Sequence, residues 1–167
     1  MDVTTASNQR PSSIPPADYG GNIDLRNLTV EPTLFLPVQI EGAGLYIGDP
    51  NFSQDNGEVS LTALEASLRA TLRAQVVPTA EDKRLFGRTD LPFAISHGTL
   101  IPMGFSSTLD DALSQSVEHA INMITAMFEM PRQQVYLLLS AAIDFDVTQA
   151  VDITKGVHGL IDLSMFQ

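Results

Sequence analysis

Between Gly48 and Glu58 the chain reads GDPNFSQDNGE, which crowds Asp49, Asn51, Gln54, Asp55, Asn56 and Glu58 into one polar stretch. Two readings are open. Gly, Pro, Asn and Asp are turn formers, so a long polar hairpin turn accounts for the composition. Alternatively, Glu58, which directly precedes an apolar strand, turns its carboxylate into a cleft. Burial there would raise its pKa toward that of a general base, and Asp49 could bind a hard cation or orient a water.

The other candidates for chemistry are sparse. Of the three histidines, His119 lies beside Glu118 on an amphipathic helix and reads as a solvent-facing or core-edge side chain. His158 lies in TKGVHGL, read as a glycine-flanked turn after a strand and a better candidate for function. His97 follows Ser96, but no GxSxG elbow supports a serine nucleophile. The histidines have no HxxxH-type metal spacing. The GxG at Gly42–Gly44 lacks the third glycine of a dinucleotide fingerprint, and Met103, Met123, Met127 and Met130 read as core packing.

The elements that must position these groups can be partly read. Residues 1–19 are rich in Ser, Thr, Pro and Asn with few large apolar side chains, which predicts a tail or linker. From Gly20 onward, short apolar runs broken by Gly and Pro predict strands, with TLFLPVQI and GLYI as candidates. Residues 64–76 fit a strand through alternation of Leu64, Ala66, Leu68, Ala70, Leu72, Ala74 and Val76. They fit a helix equally, through Leu61, Leu64, Leu68 and Leu72. Residues 78–92 read as an exposed connection, and FAISHGTLIPMGF as one or two strands. Ser107 and Thr108, followed by Asp110 and Asp111, predict a helix start, and apolar residues then recur every three or four positions to Met130. Pro131 suits the start of a second helix, and IDFDVTQAVD alternates as a strand does.

Bulk properties exclude some functions. With 167 residues, 44% of them hydrophobic, the chain fits one domain with a filled core. Twenty acidic against nine basic residues give a net charge of −11, which argues against nucleic acid and anionic membrane surfaces as partners. No window approaches eighteen consecutive apolar residues, and the N-terminal stretch lacks a signal-peptide layout, so the expected location is cytoplasmic. The absence of cysteine removes disulfides, thiolate ligands and a cysteine nucleophile together.

Two separated segments carry a resemblance. GGNIDLRNLTVEPTLFLPVQIEGAGLYIGDPNFSQDNGEVSLTALE resembles the GGN-x-D, LYLPV-like and G-D-x-H-x-x-Q-G-D-G-E motifs of the acetamidase/formamidase family. VYLLLSAAIDFDVTQAVDITKGVHGL resembles that family's closing LLS, VTQVVD and KGVH segment. The similarity spans roughly residues 14–167 and falls on the C-terminal half of longer proteins. It implies hydrolysis of short aliphatic amides to carboxylate and ammonia, assisted by a divalent metal such as zinc or calcium. It also favours strand for residues 64–76.

Carried over by position, the resemblance implies Glu58, Asp49 and His158 as catalytic, and Asn22, Gln54 and Lys155 as substrate-binding. Asp24 and Asp49 would hold the metal, and Asn22 or Lys155 would stabilise the oxyanion. Three positions depart from the motif: Asn51 replaces His, Asp55 replaces Gly and Asn56 replaces Asp. The losses at Asn51 and Asn56 predict weakened metal binding. The expected fold class is α+β, with a tail over residues 1–19 and a β-rich, sandwich-like body over residues 20–105. A smaller helix–helix–strand part of the same domain follows over residues 107–167, the amidase-like region ending at residue 106. The expected partners are a small amide and either a second copy or a chain supplying the family's other half. The alternative is a shortened, non-catalytic relative that binds or assembles.

Overall fold

The computed structural model describes residues 1–166. Its centre is a five-stranded antiparallel sheet built from both halves of the sequence. The strands are β1 (Thr33–Phe35), β4 (Phe93–Ser96), β5 (Thr99–Ser106), β6 (Asp144–Gln149) and β7 (Lys155–Asp162), in the order β1-β4-β5-β7-β6. A separate two-stranded pair joins β2 (Asn51–Ser53) to β3 (Leu64–Glu65). His97 and Gly98, both at positive φ (47° and 82°), make the two-residue turn between β4 and β5. Turn geometry, rather than catalysis, therefore accounts for His97.

Side-chain alternation gives the sheet two different faces. Phe93, Leu100 and Ile161 face three helices, α1 (Thr79–Phe86), α2 (Leu109–Phe128) and α3 (Arg132–Ala142), and pack against Met123, Ile124, Val135 and Leu139. Ala94, Ile101, Met103 and Phe105 face the other way, onto Leu25 and its neighbours from the irregular chain before β2. Helix α2 begins as expected: Thr108 Oγ1 accepts from the Asp111 amide at 3.2 Å, and Asp110 and Asp111 sit at the positive end of the dipole. It ends at Glu129, in the left-handed region at φ 53°, just short of Pro131. Gly104 lets α2 lie against β5, since a Cβ there would come within 2.2 Å of the Ala112 carbonyl oxygen.

Several expectations change. The β-rich part is not a sandwich, because its strands share one sheet with β6 and β7; Met103 pairs with His158 across the supposed boundary. Residues 66–76 adopt neither strand nor helix. Leu68, Leu72 and Val76 are all exposed, so neither periodicity finds a surface on which to bury its apolar side. The stretch read as an exposed connection contains α1, whose Phe86 packs edge-on to Phe35 at 5.2 Å between ring centroids. Residues 1–19 are tied at both ends rather than trailing free. The Val3 amide donates to the Tyr19 carbonyl at 3.0 Å, Asp2 exchanges backbone bonds with Tyr46, and Val3 and Pro16 are buried. No helix among the described residues is long and apolar enough to cross a membrane.

Candidate active site

The face of the sheet turned away from the helices carries a convergent cluster of carboxylates and amides. At the end of β6, Gln149 is fully buried, and its amide organises the region. Its Oε1 accepts from the Asp24 backbone N–H at 3.1 Å. Its Nε2 donates to Asp152 Oδ2 at 2.9 Å and reaches the Asn22 carbonyl at 3.2 Å and Asp24 Oδ2 at 3.4 Å. One side chain thus joins the GGN-x-D segment to the end of the chain's last hairpin. Glu58 is brought in by backbone stitching: Gly57 donates to the Thr148 carbonyl at 3.1 Å, and Ala150 donates to the Gly57 carbonyl at 2.8 Å.

Asp24, Glu58 and Asp152 therefore converge, and one carboxylate oxygen from each lies within 4.8 Å of the others. Glu58 (φ 39°) and Asp152 (φ 60°) both occupy the left-handed region, which a side chain other than glycine enters at a cost. The surrounding hydrogen bonds hold them there. Burial, then hydrogen bonding to Asp152 and the charge of Glu58, push Asp24 up to about 8. Burial raises Glu58 as well, while its hydrogen bond with Asp24 works against the rise. Three like charges cannot share a poorly hydrated site without a proton or a cation between them. Glu58 Oε2 is buried with no hydrogen-bond partner. The oxygen-only donor set is compatible with a divalent metal.

Beside Glu58 opens a cavity of about 210 Å³, lined by Gln54, Asn56, Ala63 and Leu64 among others. Gln54 donates to the Asp24 carbonyl at 3.0 Å and accepts from Asn51 Nδ2 at 3.1 Å, so it props the Asp24 backbone. The structure thus unites Asp24, Glu58, Gln54 and Asn22. It does not bring in Asp49, which is exposed at φ 54° outside the three carboxylates, although its charge is felt at Glu58. Lys155 opens β7 opposite Ser106.

His158 is not in a turn but lies within β7, fully buried. Its flanking glycines are there for proximity: a Cβ on Gly156 would sit 3.0 Å from Thr148 Cβ, and one on Gly159 would sit 3.0 Å from Phe145 Cε1. His158 Nδ1 is 2.8 Å from Thr148 Oγ1, and burial pulls its pKa down to about 4, so it stays neutral. It braces the residue preceding Gln149 and is not one of the three converging groups. Gln149 and Asp152, to which no role was assigned, carry much of the site. Both lie inside VTQAVD, the stretch already matched to the family's closing segment.

Asn51 and Asn56 also have other tasks than metal binding. Asn51 bonds Gln54, and Asn56 Nδ2 donates to Asp146 Oδ2 at 2.8 Å. A carboxylate at residue 56 would face Asp146 as a like charge. Asn56→Asp is expected to destabilise the protein by about 1 kcal/mol, a loss relieved when Asp146→Asn is added. Urea unfolding of the two single variants and the double variant measures this coupling, and additive losses would refute it.

The profile of the Acetamidase/Formamidase family matches residues 2–166, so the chain belongs to that family. Among characterised relatives, a formamidase of Methylophilus methylotrophus is 44% identical over 48 residues, covering 29% of this chain and 12% of that protein. An acetamidase of Mycolicibacterium smegmatis is 43% identical over 54 residues, covering 32% of this chain and 13% of its own. The crystal structure of an acetamidase from Bacillus halodurans superposes with a TM-score of 0.80 at 22% identity, covering 99% of this chain and 54% of that one. An acetamidase from Yersinia enterocolitica gives 0.82 at 21%, covering 99% and 48%. The fold is shared, and this chain spans about half the length of those two structures.

Proposed function

We propose that the site hydrolyses the C–N bond of a short aliphatic amide, giving a carboxylate and ammonia. The observation that carries the proposal is the Asp24–Glu58 pair, one buried and one half-buried carboxyl group whose pKa values are both raised beside a small cavity. Unequal environments divide acid and base roles between two otherwise similar groups. Asp24, with a pKa of about 8, holds the proton at neutral pH, and Glu58 is the base. Glu58 takes a proton from water as that water's oxygen bonds the amide carbon. Asp24 gives its proton to the departing nitrogen as the C–N bond breaks. Asn22, whose carbonyl is already held by Gln149, supplies its side-chain amide to the developing oxyanion.

In an alternative occupancy that replaces the shared proton and so removes Asp24 as the acid, Asp24, Glu58 and Asp152 would hold a hard divalent cation, calcium fitting their oxygen donors better than zinc. When bound, such an ion would polarise the carbonyl and lower the pKa of water. Gln149 keeps two of the three carboxylates aimed at one point. The test is ammonia release from formamide and acetamide by the purified chain, with and without calcium or zinc. Release that saturates with amide is the expected result, and none under any metal would overturn the proposal.

The resemblance to proteins about twice as long, together with the exposed apolar surface, favours assembly. Phe52, Val59, Leu64, Leu68, Leu72 and Val76 are all exposed within one sequence region, and apolar surface that lies together marks an interaction site. A second copy, or a chain supplying the family's other half, is proposed to cover them. Light scattering is expected to give a dimer or larger species that Leu68→Ser with Leu72→Ser dissociates, and a monomeric parent chain would refute self-association.

A further inference from the structure

The larger cavity lies on the opposite side of the sheet. It is an open depression of about 400 Å³, bounded by one face of α2 and the connection from α1 to β4. Gln115, Glu118, His119 and Asn122 recur at spacings of three and four and so line the same helical stripe. Arg88 and Asp90 close the other side, their connection tethered to α1 by the Thr89 hydroxyl on Asp82.

His119 forms part of the floor and is only 4% exposed. Its Nδ1 lies 3.2 Å from the Met103 carbonyl, which can only accept, so Nδ1 carries the hydrogen. Burial keeps the ring neutral, which leaves Nε2 as a bare acceptor. That Nε2 is buried and has no partner. A buried acceptor left unpaired costs about 1–3 kcal/mol, so this atom, just beneath the cavity floor, calls for a donor that the lining side chains part to admit.

The walls supply the opposite polarity. Gln115 Oε1 is committed to the Phe105 amide, and Asn122 Oδ1 to Arg132, so both side chains have their NH₂ groups left to donate. The charges balance in place: Arg88 pairs with Asp90, and Glu118 with Arg132. Nothing in the lining demands a net charge of its occupant.

We propose that this cavity is a second binding site, taking a small neutral molecule with an N–H donor beside a carbonyl acceptor, as in a primary carboxamide or a urea. The N–H donates to His119 Nε2, and the carbonyl accepts from Gln115 and Asn122. The sheet separates it from the acidic site, and the proposal does not depend on that site's activity.

Acetamide is the probe, titrated into the full chain bearing Glu58→Gln so that turnover cannot consume it. The ¹⁵N shift of His119 Nε2, followed by long-range ¹H–¹⁵N NMR, is expected to move saturably. Ser114→Trp, at an exposed α2 position on the cavity wall, is expected to weaken this binding at least tenfold and, with Glu58 intact, to leave ammonia release unchanged. Because His119→Phe alters a buried side chain and could unfold the protein, Ser114→Trp carries the test. No shift would overturn the proposal, as would a shift linear in acetamide or one indifferent to Ser114→Trp. Failure at His119 with ammonia release intact would strike this inference alone, and the reverse would strike the amidase proposal alone.

Discussion

Glu58→Gln is expected to lower kcat for ammonia release by roughly 10²–10⁴-fold, the range over which a positioned general base contributes. The substitution keeps the size of the side chain and removes a charge from a site where burial already opposes ionisation. The fold should survive, and the melting temperature should hold or rise. Two readouts therefore separate the roles. A large fall in kcat with an unshifted melt places Glu58 in the chemistry, whereas a parallel loss of both would make it a structural residue. Unchanged turnover would remove it from the mechanism.

Asp24→Asn carries the other large effect, seen in the pH dependence of stability. In the unfolded chain this carboxyl ionises near its ordinary value of 3.8, and in the folded protein it does so at about 8. Between those values the folded state binds more protons than the unfolded state, so stability falls as pH rises from about 4 to about 8. A shift of this size is worth on the order of 5 kcal/mol in total, reduced to the extent that Glu58 shares the proton. The asparagine variant loses this slope and should be the more stable form at pH 8, while losing the proposed acid. Urea unfolding at pH 5 and pH 8 tests this, and parallel profiles for the two proteins would refute it. A bound divalent cation acts in the same direction, so added calcium should stabilise the parent chain most at high pH and Asp24→Asn least.

The parts of the fold legible in the sequence were those set by local rules. Ser107 and Thr108 with the two following aspartates, the α2 periodicity and Pro131 marked a helix pair, because capping and amphipathicity are decided within a few residues. The β6 strand followed from alternation. Residues 64–76 were ambiguous on paper because two periodicities fit them, and the structure honours neither, since a period forms an element only where a surface receives it. His158 was misplaced because glycines beside a polar residue suggest a turn. Here they clear room for Thr148 and Phe145 on the neighbouring strand.

The site was legible by half. Glu58 and Asp24 stood out as carboxylates in matched motifs, but no local rule says that a glutamine at the end of a strand will bond an aspartate 125 positions away. Asp49 looked equivalent to Glu58 in a polar loop. Only the bonds of Gly57 to Thr148 and Ala150 decide which carboxylate is drawn inward. Asn51 and Asn56 looked like lost ligands, yet each has a hydrogen-bond partner of its own in the folded chain.

The same Gln149 has a consequence for how the protein is made. A nascent chain can close the β4–β5 hairpin and wind α2 from neighbouring residues, whereas contacts between distant positions must wait for both ends to exist. Asp24 leaves the ribosome more than a hundred residues before Gln149 and Asp152 do. Until they arrive, Asp152 is missing and Glu58 lacks the Gly57–Thr148 and Gly57–Ala150 bonds that draw it inward, so Asp24 remains an ordinary ionised side chain. The proposed acid is therefore created only once residues 149–152 have been made, and a ribosome-bound chain stalled before residue 149 should be inert even with its central hairpin in place.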